Sequence, residues 1–382
     1  MTTPNSRRSL RIAIPLAGFN LSGGVKSLIG VANALAERGH RVRLLVPDHA
    51  ASPPAPLRPG VTLRVLWTGP SWLPASLRKL VDLFQLGTTG TAGADVCLAN
   101  YYPTAYAAWL SHLIRGDRAA LAYNVRGYEP LSHGLLAPAP LPSRLARFAL
   151  AWLSYRLPIQ KICTTDWLRE QIGDPSAYVV GHGIDLEIFR PPAGRPRRDQ
   201  LVVGTIGRRG EGKGYPDFLR AVELLPAELP IRIRLAAPDP VQPPCRFPAD
   251  VTHPADELSM AEFYGMCDVF VFPSRVEGFG LPALEAMACG VVVVTTDCGG
   301  VRAFARPDEN CLMVPAADAP ALAAAITRLA RDAALRERLL PGGLQTASQF
   351  GRQAVQERFC DYLEQLAEQV RPSDDGRDRR SR

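Results

Sequence analysis

Short apolar runs alternate with longer amphipathic segments along the first half of the chain. Residues 11–16, 41–47, 94–103 and 118–127 are apolar runs of strand length, and a helical segment ending near Gly39 separates the first two. This alternation predicts a parallel sheet with helices on both faces. Ligands of such sheets bind outside the carboxyl ends of the strands.

The same pattern begins again after residue 200. Four further runs of strand length are present: 201–207, 231–238, 267–273 and 291–297. Segment 181–200, rich in Gly, Pro and Arg, predicts a linker before them. We therefore predict an α/β protein with two Rossmann-like domains, residues 1–180 and 201–351, which face each other across a cleft.

The C-terminal part of the chain has a helical pattern. Residues 318–339 and 352–370 are predicted helices, and the second is a candidate to cross back to the first domain. Residues 371–382 are rich in charge and lack apolar side chains, so we predict a disordered tail.

A helix is also predicted over residues 141–157, where large apolar side chains recur every three or four positions. Arginines lie beside this stripe, so contact with a membrane surface is one interpretation. Further leucines make the segment apolar almost all round, which favours burial in the core. The residues concerned are Leu141, Leu145, Phe148, Leu150, Trp152, Leu153, Tyr155 and Leu157.

Composition places the chain among globular proteins. It has 382 residues, 47% hydrophobic and 21% charged, which suits two domains. No apolar run reaches the roughly 20 residues of a spanning helix. The N-terminal apolar stretch is short and carries Arg11, so it reads as a strand and not as a signal peptide. We expect the chain to act in the cytoplasm.

Charge is spread unevenly between the two halves. Residues 1–180 hold 19 Lys and Arg against nine Asp and Glu, whereas residues 181–382 hold 25 against 28. We expect the basic half to attract either an anionic acceptor or the inner face of an acidic membrane. Only four of the 44 basic residues are lysine, so background arginine usage is the other interpretation.

The cysteines are scattered and form no Cys-x-x-Cys pair, which indicates buried free thiols and no metal site. They are residues 97, 163, 245, 267, 289, 298, 311 and 360.

Segment 273–290 (PSRVEGFGLPALEAMACG) combines a glycine loop with two carboxylates. It comes after an apolar run and leads into a predicted helix, whose free N-terminal amides bind phosphate or sugar oxygens. Gly278 and Gly280 let a ligand approach the backbone closely. Glu277 and Glu285 each offer two acceptors to a vicinal diol. An ordinary strand–turn–helix with surface glutamates is the other interpretation.

Segment 204–222 carries two cations, Arg208 and Lys213, in a glycine-rich loop between a strand and a helix. Two fixed cations can neutralise a phosphate-bearing ligand, as a divalent metal does elsewhere. A Walker-type loop is an alternative, but Gly214 stands where the magnesium-binding hydroxyl is needed. A turn that binds no ligand is a third interpretation of this segment.

Segment 273–290 resembles the signature of retaining family-four GT-B glycosyltransferases, in which seven residues separate two glutamates. Segments 296–322 and 181–191 are also similar to that family. The resemblance implies that Glu277 contacts hydroxyls of the donor sugar and Glu285 those of the ribose, with Arg208 and Lys213 on the pyrophosphate. The donor loop then comprises these four residues with Gly278, Phe279, Gly280 and Leu281.

Two segments of the first half resemble the same family. Gly23 and Gly24 are similar to its loop that brings backbone toward donor phosphate and acceptor. Arg126 stands where many relatives have a histidine, a pattern similar to a bacterial subset that includes rhamnosyltransferases. As a permanent cation it cannot shuttle protons. The predicted acceptor side is Asn100, Tyr101, Arg126, Tyr128 and Glu129.

The resemblance implies transfer of a sugar from a nucleotide-diphosphate sugar to an acceptor hydroxyl with retention, without metal or cofactor. The predicted catalytic residues are Arg208, Lys213, Glu277 and Arg126. The acceptor would be a glycan, a lipid-linked sugar or a small molecule of cell-envelope or natural-product glycosylation, and no nucleic acid is expected. A non-catalytic nucleotide-sugar-binding module and a GT-B epimerase or phosphorylase remain alternatives.

Overall fold

The computed structural model describes twelve stretches of the chain. They are residues 8–16, 18, 23–47, 53, 55–66, 72, 81–82, 85–86, 91–116, 118–137, 139–194 and 199–370. The predicted tail 371–382 and residues 195–198 of the predicted linker lie outside them.

The first unit is a seven-stranded parallel sheet in the order β3-β2-β1-β4-β5-β6-β7. Its central strands are buried on both faces, which is why they read as unbroken apolar runs. The strands are β1 (Arg11–Pro15), β2 (Arg41–Pro47), β3 (Val61–Leu66), β4 (Val96–Ala99), β5 (Ala120–Val125), β6 (Gln160–Cys163) and β7 (Tyr178–Val179). The helices are α1 (Gly23–Glu37), α2 (Tyr102–Arg115), α3 (Leu141–Ser154) and α4 (Asp166–Ile172).

The second unit repeats this plan with six parallel strands in the order β10-β9-β8-β11-β12-β13. The strands are β8 (Leu201–Ile206), β9 (Ile231–Ala236), β10 (Ala249–Thr252), β11 (Val269–Phe272), β12 (Val292–Thr296) and β13 (Cys311–Val314). The helices are α5 (Tyr215–Leu224), α6 (Glu257–Gly265), α7 (Leu281–Ala288), α8 (Ala319–Arg331) and α9 (Ala333–Ser348).

The last helix, α10 (Arg352–Gln369), crosses back to the first unit. Phe359 and Leu363 lie in the core of that unit, packed with α1 and the first sheet. The Tyr362 ring stacks on Tyr178, with ring centroids 3.9 Å apart. The first unit is therefore completed by residues that come after the whole second unit in the chain.

The two chain crossings between the units run side by side. Ile184 on the outward crossing donates its N–H to the Phe350 carbonyl (2.9 Å) and accepts from the Arg352 N–H (2.8 Å). These two bonds tie the crossings together as one short parallel bridge between Ile184 and Gly351.

The single helix predicted over 318–339 is wrong, because Asp332 divides it into α8 and α9. Its backbone has φ −116° and ψ 93°, outside the helical region, and its carboxylate accepts from the Leu335 N–H at 2.8 Å. An aspartate is a strong helix N-cap, so it starts α9 as α8 ends.

The burial predicted for residues 141–157 is wrong for most of the helix, although Tyr155 and Leu157, which follow it, are buried. Helix α3 packs against α2 and against the turn at Pro130–Leu135. Within Leu141–Ser154, all of it described, only Ala151 and Ser154 are buried. Its exposed apolar residues include Leu141 (60%), Leu145 (52%), Leu150 (47%), Trp152 (41%) and Leu153 (47%).

Two smaller findings concern the cysteines and the membrane. Seven cysteines are buried free thiols as predicted, but Cys245 is exposed. Among the described residues, no helix combines the length and apolar character that crossing a bilayer requires.

Candidate active site

A cavity of about 330 Å³ lies between the two units. Its walls come from loops at the carboxyl ends of β5, β8 and β11, from the start of α1 and α6, and from α7. Eight residues predicted for donor binding or catalysis line it together: Arg208, Lys213, Glu277, Gly278, Phe279, Gly280, Leu281 and Glu285. Arg126 lines it from the first unit.

The glycine loop enters α7 through a left-handed residue. Gly280 is the N-cap of α7, with φ 95° and ψ 42°, a conformation that L side chains rarely adopt. The helix begins directly after it, at Leu281, and its N-terminal residues Leu281 and Pro282 line the cavity. This geometry suits an anionic or hydroxyl-rich ligand.

Gly278 is a point of close backbone contact between the two units. A Cβ atom there would lie 1.8 Å from the Arg126 carbonyl oxygen. The hydroxyls of Thr164 and Thr165 both donate to the Gly278 carbonyl at 3.1 Å. A residue with a side chain would therefore push the loop away from the first unit.

Lys213 and Glu277 form an ion pair in the cavity. Lys213 lies at the end of a 3-10 turn after β8, and its Nζ is 3.0 Å from Glu277 Oε1. The Ser274 hydroxyl donates to the same oxygen at 2.9 Å. The residue predicted to hold diphosphate thus lies beside the residue predicted to hold the donor sugar.

A second polar group occupies the α7 side of the cavity. The Tyr264 hydroxyl donates to Glu285 Oε2 at 2.9 Å. Burial raises the pKa of Glu285 to about 7, while the Tyr264 hydrogen bond and the positive charge of Arg208 act in the opposite direction. This carboxyl therefore changes charge near neutral pH.

The first unit contributes a buried cation and a neutral imidazole. Arg126 comes directly after β5, and its Nη1 has no hydrogen-bond partner among the described residues. Burial lowers the pKa of Arg126 to about 10. Burial and the charge of Arg126 lower the pKa of His182 to about 4, and His182 Nδ1 lies 3.0 Å from the Gly183 N–H. His182 is therefore neutral at pH 7.

The other residues predicted for the acceptor side lie after β4 and β5 but do not line this cavity. Asn100 donates to the Pro15 carbonyl at 2.6 Å. Glu129 is buried and accepts from the Tyr102 N–H at 2.9 Å, and burial raises its pKa to about 7. The rings of Tyr101 and Tyr128 pack against Tyr102 and Tyr155 respectively. Their acceptor role stays a prediction.

Gly23 and Gly24 are the first residues of α1, and the preceding residues 19–22 lie outside the described part. Lys26, in the first turn of α1, lines the cavity. Sequence reasoning missed Lys26, although it is one of four lysines and comes soon after the two glycines.

Further cavity residues also escaped prediction. Asp256, Glu257 and Tyr264 come from the start and the interior of α6, which carries no motif. His182, in the segment 181–191, also lines the cavity. In the described part of the chain, no three His, Cys, Asp or Glu side chains group to hold a metal. The absence of a metal stays a prediction.

Two family profiles match the chain, one to each unit. The family described as "Glycosyl transferase 4-like domain" matches residues 22–174, and "Glycosyl transferases group 1" matches residues 200–332. The chain is 28% identical to a D-inositol 3-phosphate glycosyltransferase of Thermobispora bispora, over 92% of each protein. It is 26% identical to the protein of that name from Jonesia denitrificans, over 88% of this chain and 90% of the other.

Solved structures share the architecture. A sucrose-phosphate synthase from Thermosynechococcus elongatus superposes with a TM-score of 0.77 at 21% identity, covering 95% of this chain and 100% of the other. Anabaena HepE, solved in complex with UDP-glucose, superposes with a TM-score of 0.70 at 16% identity, covering 93% and 100%.

Two Rossmann-like units around one cleft form the GT-B fold, which confirms the predicted fold class. The chain belongs to the family-four glycosyltransferases, as the resemblance of segment 273–290 predicted.

The close approach at Gly278 yields a prediction. Gly278→Ala should lower kcat/KM by about 100-fold, because the added Cβ forces the units apart and displaces Glu277; a 1 Å error in positioning has effects of this size. The control is Gly127→Ala, whose added Cβ meets nothing within 4 Å. Equal activity of the two variants would show that the contact does not position the site.

Proposed function

We propose that this glycosyltransferase takes its sugar from a nucleotide-diphosphate donor, with retention and without metal or cofactor. The observation that carries the proposal is the Lys213–Glu277 pair, 3.0 Å apart, in one cavity with Arg208 and Glu285. It brings a diphosphate cation next to a carboxylate suited to sugar hydroxyls. The bond that must break would lie beside this pair.

The donor would extend along the cavity in one direction. Glu285, with Tyr264 beside it, suits the ribose hydroxyls at one end, and Glu277 suits the sugar at the other. The cations Arg208 and Lys213 then face the diphosphate between them. Anabaena HepE, solved in complex with UDP-glucose, supports a nucleotide-sugar donor for this architecture.

In the proposed reaction the bond between C1 of the sugar and the diphosphate oxygen breaks, and its electron pair stays on the diphosphate. Arg208 and Lys213 stabilise the charge that develops there. The acceptor hydroxyl attacks C1 from the face that the diphosphate leaves, which retains the configuration. Its proton passes to a diphosphate oxygen. The two fixed cations supply the neutralisation that a divalent ion supplies in other enzymes.

Removal of Lys213 tests the metal-free route. Lys213→Ala should lower kcat by about 30- to 1000-fold, on the order of 2–4 kcal/mol, because it removes charge stabilisation in the transition state. Wild-type turnover should be equal in EDTA and in magnesium. Steady-state kinetics measure both.

The matched control is Arg209→Ala, an exposed cation of the same loop, which should keep wild-type kcat. Loss of turnover in EDTA that magnesium or manganese restores would overturn the metal-free route.

Substitution of the two glutamates should change different kinetic constants. Glu285→Gln should mainly raise KM for the donor, because the ribose is bound alike in the ground and transition states. Glu277→Gln should mainly lower kcat and blur the choice between donor epimers, because the sugar ring changes as the bond breaks. Initial rates with one donor separate the two effects.

The pKa of Glu285 adds a pH signature. Below about pH 7 the carboxyl is protonated and accepts fewer hydrogen bonds, so donor KM should fall as pH rises from about 6 to 8. Glu285→Gln should flatten this profile. If Glu285→Gln changes only kcat and Glu277→Gln only KM, the donor lies in the opposite direction.

A donor screen separates this proposal from its alternatives. UDP-, GDP- and TDP-sugars are tested for binding by thermal shift and for turnover with and without acceptors. A binding module would bind a donor without turnover, and an epimerase would change it without an acceptor. A phosphorylase would require inorganic phosphate. Transfer to an acceptor supports the glycosyltransferase reaction.

We also propose that the enzyme contacts the inner face of an anionic membrane through α2 and α3. Tyr106 of α2 donates to the Leu150 carbonyl of α3 at 2.9 Å, which sets the two helices side by side. Their exposed apolar residues, the α2–α3 surface, are Leu110, Leu113, Ile114, Leu141, Leu145, Leu150, Trp152 and Leu153. Apart from Arg126 of the cavity wall, residues 102–158 contain five arginines and two acidic residues, which complements anionic lipid headgroups.

Vesicle binding tests this surface. Wild-type protein should bind vesicles that contain about 30% phosphatidylglycerol, and binding should weaken with salt, because screening acts beyond about 8–10 Å. Leu145→Asp with Leu150→Asp should abolish binding in a flotation assay. Leu224→Asp, at a 56% exposed leucine of the second unit, is the control and should bind normally. If wild-type protein does not bind these vesicles at any salt concentration, the excess of arginine is better explained as background usage than as a membrane contact.

A further inference from the structure

Arg126 carries a cation that the proposed reaction does not use. The residue is partly exposed and lines the cavity, while its Nη1 atom is enclosed by protein and has no hydrogen-bond partner among the described residues. Burying an unpaired charge costs several kcal/mol unless an opposite charge compensates it. A substrate anion would provide that compensation.

The carboxylates around Arg126 already have other partners. Glu277 accepts from Lys213 and Ser274, and Glu285 accepts from Tyr264. Glu129 attracts Arg126 electrostatically, but its side chain accepts from the Tyr102 N–H. Within the part of the chain that the structure describes, Arg126 thus has no dedicated carboxylate partner.

The position of Arg126 assigns it to the sugar end of the cavity. Its carbonyl oxygen is the atom that a Cβ at Gly278 would strike, and Gly278 comes directly after Glu277. The proposed diphosphate cations, Arg208 and Lys213, belong to the second unit, whereas Arg126 belongs to the first. The backbone of Arg126 therefore lies next to the loop residue that precedes α7 and follows Glu277, the residue proposed to hold the donor sugar.

We propose that Arg126 binds an anionic group, a carboxylate or a phosphate, carried by one of the two sugar reactants. This inference rests on the proposed function and names its substrate class. The source is either a hexuronate as the transferred sugar or a phosphate ester on the acceptor. A guanidinium matches both groups with two parallel hydrogen bonds, whereas a neutral hydroxyl leaves its charge uncompensated.

The expected consequence is selectivity for charge. A site built for a polar partner rejects a substrate that lacks it, because the buried group is then left unpaired. We expect the wild-type enzyme to bind the anionic member of one matched pair at least about tenfold more tightly than the neutral member.

Calorimetric titration of the full chain tests the proposal. The donor pair is UDP-glucose and UDP-glucuronate, with UDP alone as reference; the GDP or TDP counterparts replace them if the donor screen selects that base. The acceptor pair is myo-inositol and myo-inositol 3-phosphate, titrated with the diphosphate saturating. The proteins are wild type, Arg126→Gln, Arg126→Met and the control Arg147→Gln, which changes an exposed arginine outside the cavity.

The expected result is a preference for the anionic member of one pair that both Arg126 variants lose and Arg147→Gln keeps. The pair that shows it identifies the source of the anion. Affinity for the diphosphate alone should change less than about threefold, because Arg126 does not hold it. Arg126→Met also removes the charge and fills the space with an apolar side chain. If Arg126→Gln does not fold, the titrations with Arg126→Met test the proposal.

Three results would overturn the inference while leaving the proposed function intact. They are no preference in either pair, a preference that the Arg126 variants retain, and a loss of affinity for the diphosphate alone as large as that for the anionic substrate. If UDP, GDP and TDP all fail to bind wild-type protein, the proposed function fails and this inference fails with it.

Discussion

The contact between Gly278 and Arg126 is the constraint on which the site depends. Backbone meets backbone there, with no side chain between the two units, and two threonine hydroxyls of the first unit hold the Gly278 carbonyl. On its other side the loop is fixed to the second unit, because Glu277 donates its N–H to Cys298 and accepts from Gly300. The side chain of Glu277 is therefore positioned relative to both units at once.

The sequence predicted much of the second unit, because there the chemistry and the local structure coincide. Segment 273–290 needs a strand, two glycines and a helix in that order, and each element occurs where the residue types require it. The same holds for the loop with Arg208 and Lys213, which comes after β8. These are local requirements, so neighbouring residues in the chain are enough to reveal them.

What the sequence did not reveal depends on contacts between distant segments. Tyr264 and Glu257 reach the cavity because α6 packs beside α7, and no motif marks that packing. Helix α3 has a strongly apolar sequence, but burial needs a partner on every apolar side, and α2 and the turn at 130–135 cover only part of it. The break at Asp332 was missed because one capping aspartate is a weak signal within a long periodic pattern.

The return of α10 to the first unit has a consequence for synthesis. In topological terms the second unit is an insertion within the first, since residues 184–347 of its cores lie between Val180 and Phe359 of the other core. A nascent chain leaving the ribosome thus exposes the residues that complete the second core before those that complete the first. The first unit, whose synthesis begins first, is therefore the last to have its core completed. Leu363 can pack into that core only after the strands of both sheets have been synthesised.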